Sequence, residues 1–148
     1  MKITFEADAA MDRRIAKVIT HPAEQEHWRH MEEAIQQAEQ KLVVLNAKNN
    51  RNVQISLSSI AVIESEDRMC SVRVISGEMY LLNQRLKSAE AELDPSFFLR
   101  INNQTLINKS YIKEFSSTDN ARLQVVLTNE LSYYVSRFYI KNFRGNLI

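Results

Sequence analysis

The chain reads as an α+β protein in which β-structure dominates: antiparallel sheets with short helices, preceded by an N-terminal strand-and-helix extension. Two observations predict this. From residue 42 to residue 135, short segments of alternating apolar and polar residues follow one another closely, separated by polar turn clusters. Only two or three segments carry the three- and four-residue apolar step of an amphipathic helix. The length of 148 residues fits one domain with a short extension, and a chain of this size buries enough surface to need no covalent staple.

Taken in order, residues 2–7 alternate and predict a strand. Residues 14–20, with Ile15, Val18 and Ile19, predict a second. A helix follows, capped by Thr20 or His21, with Pro22 at its first position, where a missing N–H costs nothing. Trp28, Met31, Ile35, Ala38 and Leu42 share one face of it, a stripe expected to pack on the rest of the domain. The boundary to the main domain is placed at 41/42. Lys48-Asn49-Asn50-Arg51-Asn52 is a turn cluster between strands Leu42–Leu45 and Val53–Leu57. Ile60–Ser65, Met69–Ile75 and Glu78–Leu82 are further strands, the last two joined by a hairpin at Ser76-Gly77. A short helix spans Gln84–Leu93, capped by Asn83 and ended by Pro95, with Leu86, Ala89 and Leu93 inward. Phe97–Ile101 is extended. Tyr111–Ser116, Leu123–Thr128 and Leu131–Val135 form a meander turned at Asp119-Asn120 and Asn129-Glu130. Ser136 caps a last helix, Arg137–Leu147.

Several function classes find no support. With two glycines, Gly77 and Gly145, no glycine-rich phosphate cradle exists. The lone cysteine, Cys70, has no partner for a disulfide, zinc or redox motif, which suits a reducing compartment. His27 and His30 share a helical face but lack further ligands for a metal. The acidic cluster Glu64, Glu66 and Asp67 reads as a solvated strand end. No apolar run reaches membrane-spanning length and no signal peptide opens the chain, so the cytoplasm is expected, as is a protein with no enzymatic activity, cofactor, metal or small-molecule substrate.

The net charge of +1 conceals an asymmetry. Residues 100–148 carry 7 basic and 3 acidic residues, while the rest of the chain is slightly acidic. A basic last third points to an anionic partner or to a solvated surface. On the last helix Arg137, Lys141 and Arg144 recur at helical steps beside an apolar stripe of Ile140, Phe143 and Leu147. An arginine held at a helix start can bond guanine O6 and N7 with both arms of its fork.

Three segments stand after strands: Glu64–Cys70, Phe98–Asn108 and Val135–Phe143. Along the domain, Ile60–Ser65, Phe97–Ile101, Leu106–Asn108, Tyr111–Glu114 and Val135–Arg137 occur in an order and spacing that resembles the LytTR DNA-binding domain, over residues 42–147. That resemblance implies packed antiparallel sheets from which loops, not a recognition helix, enter successive major grooves. It implies DNA contacts from Arg68, Met69 and Cys70 in one loop, from Asn102, Asn103 and Gln104 in a second, and from Arg137 in a third; Lys109 and, on the basic stripe of the last helix, Lys141 and Arg144 are expected to join them. The pattern departs from the family at Asn102–Thr105, where a histidine, a small polar or basic residue, serine and an aromatic are common, and at Asp67, where glycine is common.

The 41 residues ahead of the domain are too few for a receiver domain and look like the short stand-alone LytTR subgroup. The expectation is a bacterial transcription regulator that binds duplex DNA, as a homodimer on repeated sites, with a small membrane protein as a further partner implied by that subgroup. Two alternatives stay open: a LytTR-like module that binds protein through Trp28, Met31 and Ile35, and a small-molecule-binding β domain.

Overall fold

The computed structural model describes every residue except Asn120 and Ile148, and of Glu39 only the backbone. The chain divides into two compact units, Met1–Ala34 and Ile35–Ile148.

In the first unit neither expected strand forms. Residues 2–7 and 14–20 are irregular, because alternation alone makes no strand without a partner to complete the backbone ladder. Their local order comes from aspartate turns. Asp8 accepts from the Ala10 amide at 2.9 Å and Asp12 from the Arg14 amide at 2.8 Å. The helix does begin at Pro22. A 3₁₀ segment, Pro22–His27, is capped by His21, whose Nδ1 accepts from the Ala23 amide at 3.0 Å, and passes into α1 (Trp28–Glu39). Thr20 is no cap; its hydroxyl accepts the Trp28 indole N–H at 2.7 Å. The expected burial of the α1 stripe fails at three positions: Trp28 is 47% exposed, Ile35 53%, and Ala38 is exposed as well.

The second unit is built on β1 (Lys41–Asn46), β2 (Arg51–Ser56), β3 (Ile60–Glu66), β4 (Met69–Val74), β5 (Met79–Leu82), α2 (Leu86–Glu92), β6 (Phe98–Asn102), β7 (Thr105–Asn108), β8 (Ile112–Ser117), β9 (Leu123–Leu127), β10 (Ser132–Val135) and α3 (Arg137–Leu147). Seven strands form one sheet in the order β2-β1-β5-β4-β3-β7-β6, and three form a second in the order β10-β9-β8. Every pairing is antiparallel. The β-dominated α+β class is therefore as the sequence predicts.

Two cores follow from the pleat of the large sheet. Ile63, Leu106 and Phe98 join Cys70, Val72 and Leu82 in a core with Leu86, Ala89 and Leu93 of α2. Their sequence neighbours Val62, Ile107 and Leu99 point to the other face, where Leu123, Val125 and Leu127 of β9 and Phe143 of α3 cover them. β3 and β7 are thus buried on both faces, which is why Ile60–Ile63 lacks alternation. β7 is a strand that pattern reading misses: Thr105-Leu106-Ile107-Asn108 is short and has polar ends. Buried Asn108 earns its place by donating to the Ile60 carbonyl at 2.9 Å and accepting the Ser110 amide at 3.0 Å.

Smaller differences concern the caps. α2 starts at Leu86 with Arg85 as its flanking residue, not Asn83. It stops at Glu92 because the residue before Pro95 avoids helical backbone. The Ser76-Gly77 hairpin is present, with Gly77 at φ 110°. Asn50 of the first turn cluster sits at φ 57°, while Arg51 and Asn52 already belong to β2. The Asn129-Glu130 turn forms, with Glu130 at φ 69°. Of the expected Asp119-Asn120 turn, Asn120 lies outside the described residues.

Candidate nucleic-acid interface

Strand direction brings three segments to one end of the domain. β3 runs toward the β3–β4 turn at Asp67-Arg68, and the Ser65 amide donates to the Gln104 carbonyl at 2.8 Å. The β6–β7 turn at Asn103-Gln104 therefore lies beside the β3–β4 turn. At the other edge of the hairpin, the Ser136 amide donates to the Ile101 carbonyl at 2.9 Å. That bond sets the start of α3, with Arg137, next to the β6–β7 turn.

The residues expected to touch DNA fall into three groups. Arg68, Gln104, Arg137 and Lys141 are exposed, and no described residue takes up their side-chain polar groups. Asn103 is exposed as well, with its Oδ1 accepting the Tyr139 hydroxyl at 3.3 Å. Arg144 is exposed and reaches the Ser117 hydroxyl at 3.4 Å. On α3 the expected division holds, for Phe143 is buried, Ile140 and Leu147 pack partly beside it, and the three basic residues face solvent.

Asn102 is only half-exposed, and both ends of its amide bond within the protein: Nδ2 donates to the Tyr134 carbonyl at 3.0 Å and Oδ1 accepts the Gln104 amide at 2.9 Å. Met69 is half-buried at the start of β4. One assignment needs correction. Cys70 is 0% exposed and belongs to the α2-side core, so its side chain is no surface contact. Strand pairing explains this: Cys70 follows the turn by two residues and its side chain falls on the inner face. Burial also pushes its thiol pKa up, against the opposing pull of Arg100. Lys109 stands at the end of β7 away from the β6–β7 turn, in the 3₁₀ segment Lys109–Tyr111. It is separated from the other contacts by the length of that strand.

Arg100 is the residue that holds the central turn from behind. Its Nε donates to the Asn102 carbonyl at 2.9 Å and its guanidinium to the Asn103 carbonyl at 2.8 Å, while a third nitrogen pairs with Glu90 of α2 at 3.3 Å. A planar fork suits this task, because it reaches two carbonyls and a carboxylate at once.

An open depression of about 500 Å³ lies in front of this turn, lined by Glu64, Asn103, Gln104, Arg122, Tyr133 and Tyr134 among others. Arg122 lies 6.0 Å above the Tyr134 ring, a cation–π contact. Burial pushes the Glu64 carboxyl up, Arg73 pulls it back and Glu66 adds to the rise. Sequence reasoning missed Arg122 and also Phe138, which is 85% exposed on the first turn of α3. The usable signal for Arg122 was the basic excess of the last third, in which it is the one arginine between β8 and β9.

A family model described as "LytTr DNA-binding domain" matches residues 50–148. Among curated proteins, the chain is 29% identical over 93 residues to "Sensory transduction protein LytT" of Enterococcus faecalis, covering 63% of this chain and 38% of that protein. It is 34% identical over 70 residues to "Sensory transduction protein LytR" of Staphylococcus epidermidis, covering 47% of this chain and 28% of that protein. It is 32% identical over 68 residues to "Transcriptional regulatory protein LytR" of Staphylococcus aureus, covering 46% of this chain and 28% of that protein. The chain thus matches well under half the length of each. A solved LytTr DNA-binding domain of a methyl-accepting/DNA response regulator from Bacillus cereus superposes with a TM-score of 0.67 at 17% identity, covering 74% of this chain and 97% of that one. At that identity the likeness speaks for the fold alone. Among the described residues no helix is long and apolar enough to cross a membrane. With two thirds of its length matched by the family model, the chain belongs to the LytTr DNA-binding domain family.

Proposed function

We propose that this chain is a sequence-specific bacterial transcription regulator whose domain, 42–148, reads duplex DNA in the cytoplasm. The observation that carries this is the gathering of Arg68, Gln104 and Arg137 at one end of a rigid β scaffold, exposed and with unengaged donors. Turns on a fixed scaffold can enter the major groove while the core stays outside the duplex. Arg137 reads guanine, Asn103 and Gln104 read adenine or hold phosphate, and Arg68, Lys141 and Arg144 neutralise phosphates. The span of one such end is short, so two copies occupy repeated sites. A restraining membrane protein belongs to the same reading and rests on the family resemblance alone.

The experiment is a selection of bound sequences from a random duplex pool, run on wild type and on Arg137→Ala. The variant loses preference at one or two base positions, about 1–3 kcal/mol of discrimination, and keeps its fold and non-specific affinity. An equal loss for every sequence makes Arg137 a phosphate contact. A wild type that binds no duplex even at low salt ends the reading. A second reading, a protein-interaction module, is favoured by the exposure of Trp28 and Ile35 on α1.

A further inference from the structure

We infer that Asn102 is a positioning residue that locks two DNA-reading elements together: the β6–β7 turn of one sheet and the β10–α3 junction of the other. The inference rests on the DNA-reading role proposed above and assigns Asn102 a different part in it from a base contact. Its carboxamide is used in two directions. The Oδ1 fixes the turn locally by accepting the Gln104 amide at 2.9 Å, and the Nδ2 crosses to the second sheet, donating to the Tyr134 carbonyl at 3.0 Å. Tyr134 precedes Arg137 by only three residues.

Two more bonds run between the same pair of segments. The Ser136 amide donates to the Ile101 carbonyl at 2.9 Å, and the Tyr139 hydroxyl donates to Asn103 Oδ1 at 3.3 Å. Four hydrogen bonds thus define the position of Gln104 relative to Arg137, and Asn102 alone contributes a side chain to both the turn and the crossing. An arginine fork and an amide that read neighbouring bases must keep their spacing to a fraction of an ångström, because bidentate bonds tolerate little misalignment. A carboxamide meets the need. It is short and nearly rigid, and it offers a donor and an acceptor at fixed separation.

The test compares Asn102→Ala with Gln104→Ala and Arg137→Ala by binding-site selection. Each of the latter two erases preference at its own base positions. Asn102→Ala is expected to weaken preference at both sets together, by about tenfold each, with the salt slope of binding unchanged because no phosphate contact is lost. Adding Asn102→Ala to Arg137→Ala should then cost little more at the Arg137 positions, the non-additivity expected of coupled residues. Preference lost at a separate position, with the other two intact, would show Asn102 to be a base contact and overturn the inference. So would a uniform loss of affinity that tracks a lowered melting temperature. Amide hydrogen exchange on the free protein separates this from the proposed function. Asn102→Ala should speed exchange at the Gln104 amide and, across the sheets, at the Ser136 amide. Unchanged exchange at Ser136 overturns the lock whether or not the protein binds DNA. If wild type binds no duplex while both amides respond, the lock stands as a structural link and its DNA-reading role falls.

Discussion

The two turns at the end proposed to read DNA are held in opposite ways. The β6–β7 turn is gripped from outside itself: Arg100 takes two of its carbonyls, Asn102 ties it to β10, and Tyr139 touches Asn103. The β3–β4 turn is held by its own backbone, with Asp67 at φ 59° and the ladder pairs Ser65–Cys70 and Glu66–Met69 beneath it, while Arg68 extends freely. A turn fixed by long-range bonds can present donors in one geometry and so discriminate between bases. A free arginine on a hairpin tip adapts to any backbone and so contributes affinity without selection. On the proposed function, the contrast divides labour between neighbouring turns of similar size.

The strongest way to break the contrast is Arg100→Ala. It leaves two carbonyls and the Glu90 carboxylate without their charged donor, and hydrogen bonds to charged groups contribute about 1.5–3 kcal/mol each. Stability should fall by about 2 kcal/mol and base preference should collapse, both read from thermal melts and site selection. Arg68→Ala sharpens it from the other side. Melting should stay within about 0.5 kcal/mol of wild type, affinity should drop alike for all sequences, and the log–log salt slope should flatten by about 0.9. A change in base preference would make the β3–β4 turn a reader too.

Glu64 pairs with Ser71 on one side and Thr105 on the other, so it sits in the joint between the two turns. Burial raises its carboxyl pKa above the ordinary 4.5, and the folded state therefore keeps its proton to higher pH than the unfolded chain. The neutral form is the one that folding favours. Stability linked to it is full below 4.5 and declines as pH rises through the raised folded value. Glu64→Gln should remove that decline from a plot of melting temperature against pH. The smallest effect concerns Cys70. Buried beneath the β3–β4 turn with its thiol pKa raised, it should react with a thiol reagent only through opening of that hairpin. Its labelling rate then gauges the looser turn, and Asp67→Gly, which removes a side chain from left-handed backbone at φ 59°, should lower it slightly.

Much of this molecule is legible in sequence where burial is one-sided or where turn chemistry is explicit. The strands β1, β2, β4 and β5, α2 with its inward Leu86, Ala89 and Leu93, and the β8–β10 meander follow alternation or helical steps set off by polar turns, while β3 is legible as a short apolar run. β7 escapes because both its faces are buried and its ends are polar. The strands expected at residues 2–7 and 14–20 fail for the opposite reason: their alternation is real, but among the described residues no strand pairs with them, and Phe5 stands 96% exposed. In the candidate site, the family resemblance pointed to Arg68, Gln104 and Arg137, which the fold brings to one end of the domain, exposed. The resemblance could not separate contacts from supports. Asn102 and Asn103 look alike in sequence, yet the first is engaged at both ends and the second faces solvent. Cys70 lies in the right segment, and only the facing of its strand takes its side chain into the core.

With Gly77 and Gly145 its only glycines, the chain asks side-chain-bearing residues to adopt left-handed backbone at Asn50, Asp67, Ala121 and Glu130. Each such residue raises the energy of its turn, by about 1–2 kcal/mol where no local side-chain bond helps. The return comes from the unfolded ensemble. A chain poor in glycine samples fewer backbone states before it folds, so its turns lose less entropy on ordering. Loops of this kind are stiff in the free protein. On the proposed function, a duplex arriving at the β3–β4 turn, where Asp67 stands, meets a loop already shaped, and binding bears little of the ordering cost that a flexible reading arm would impose.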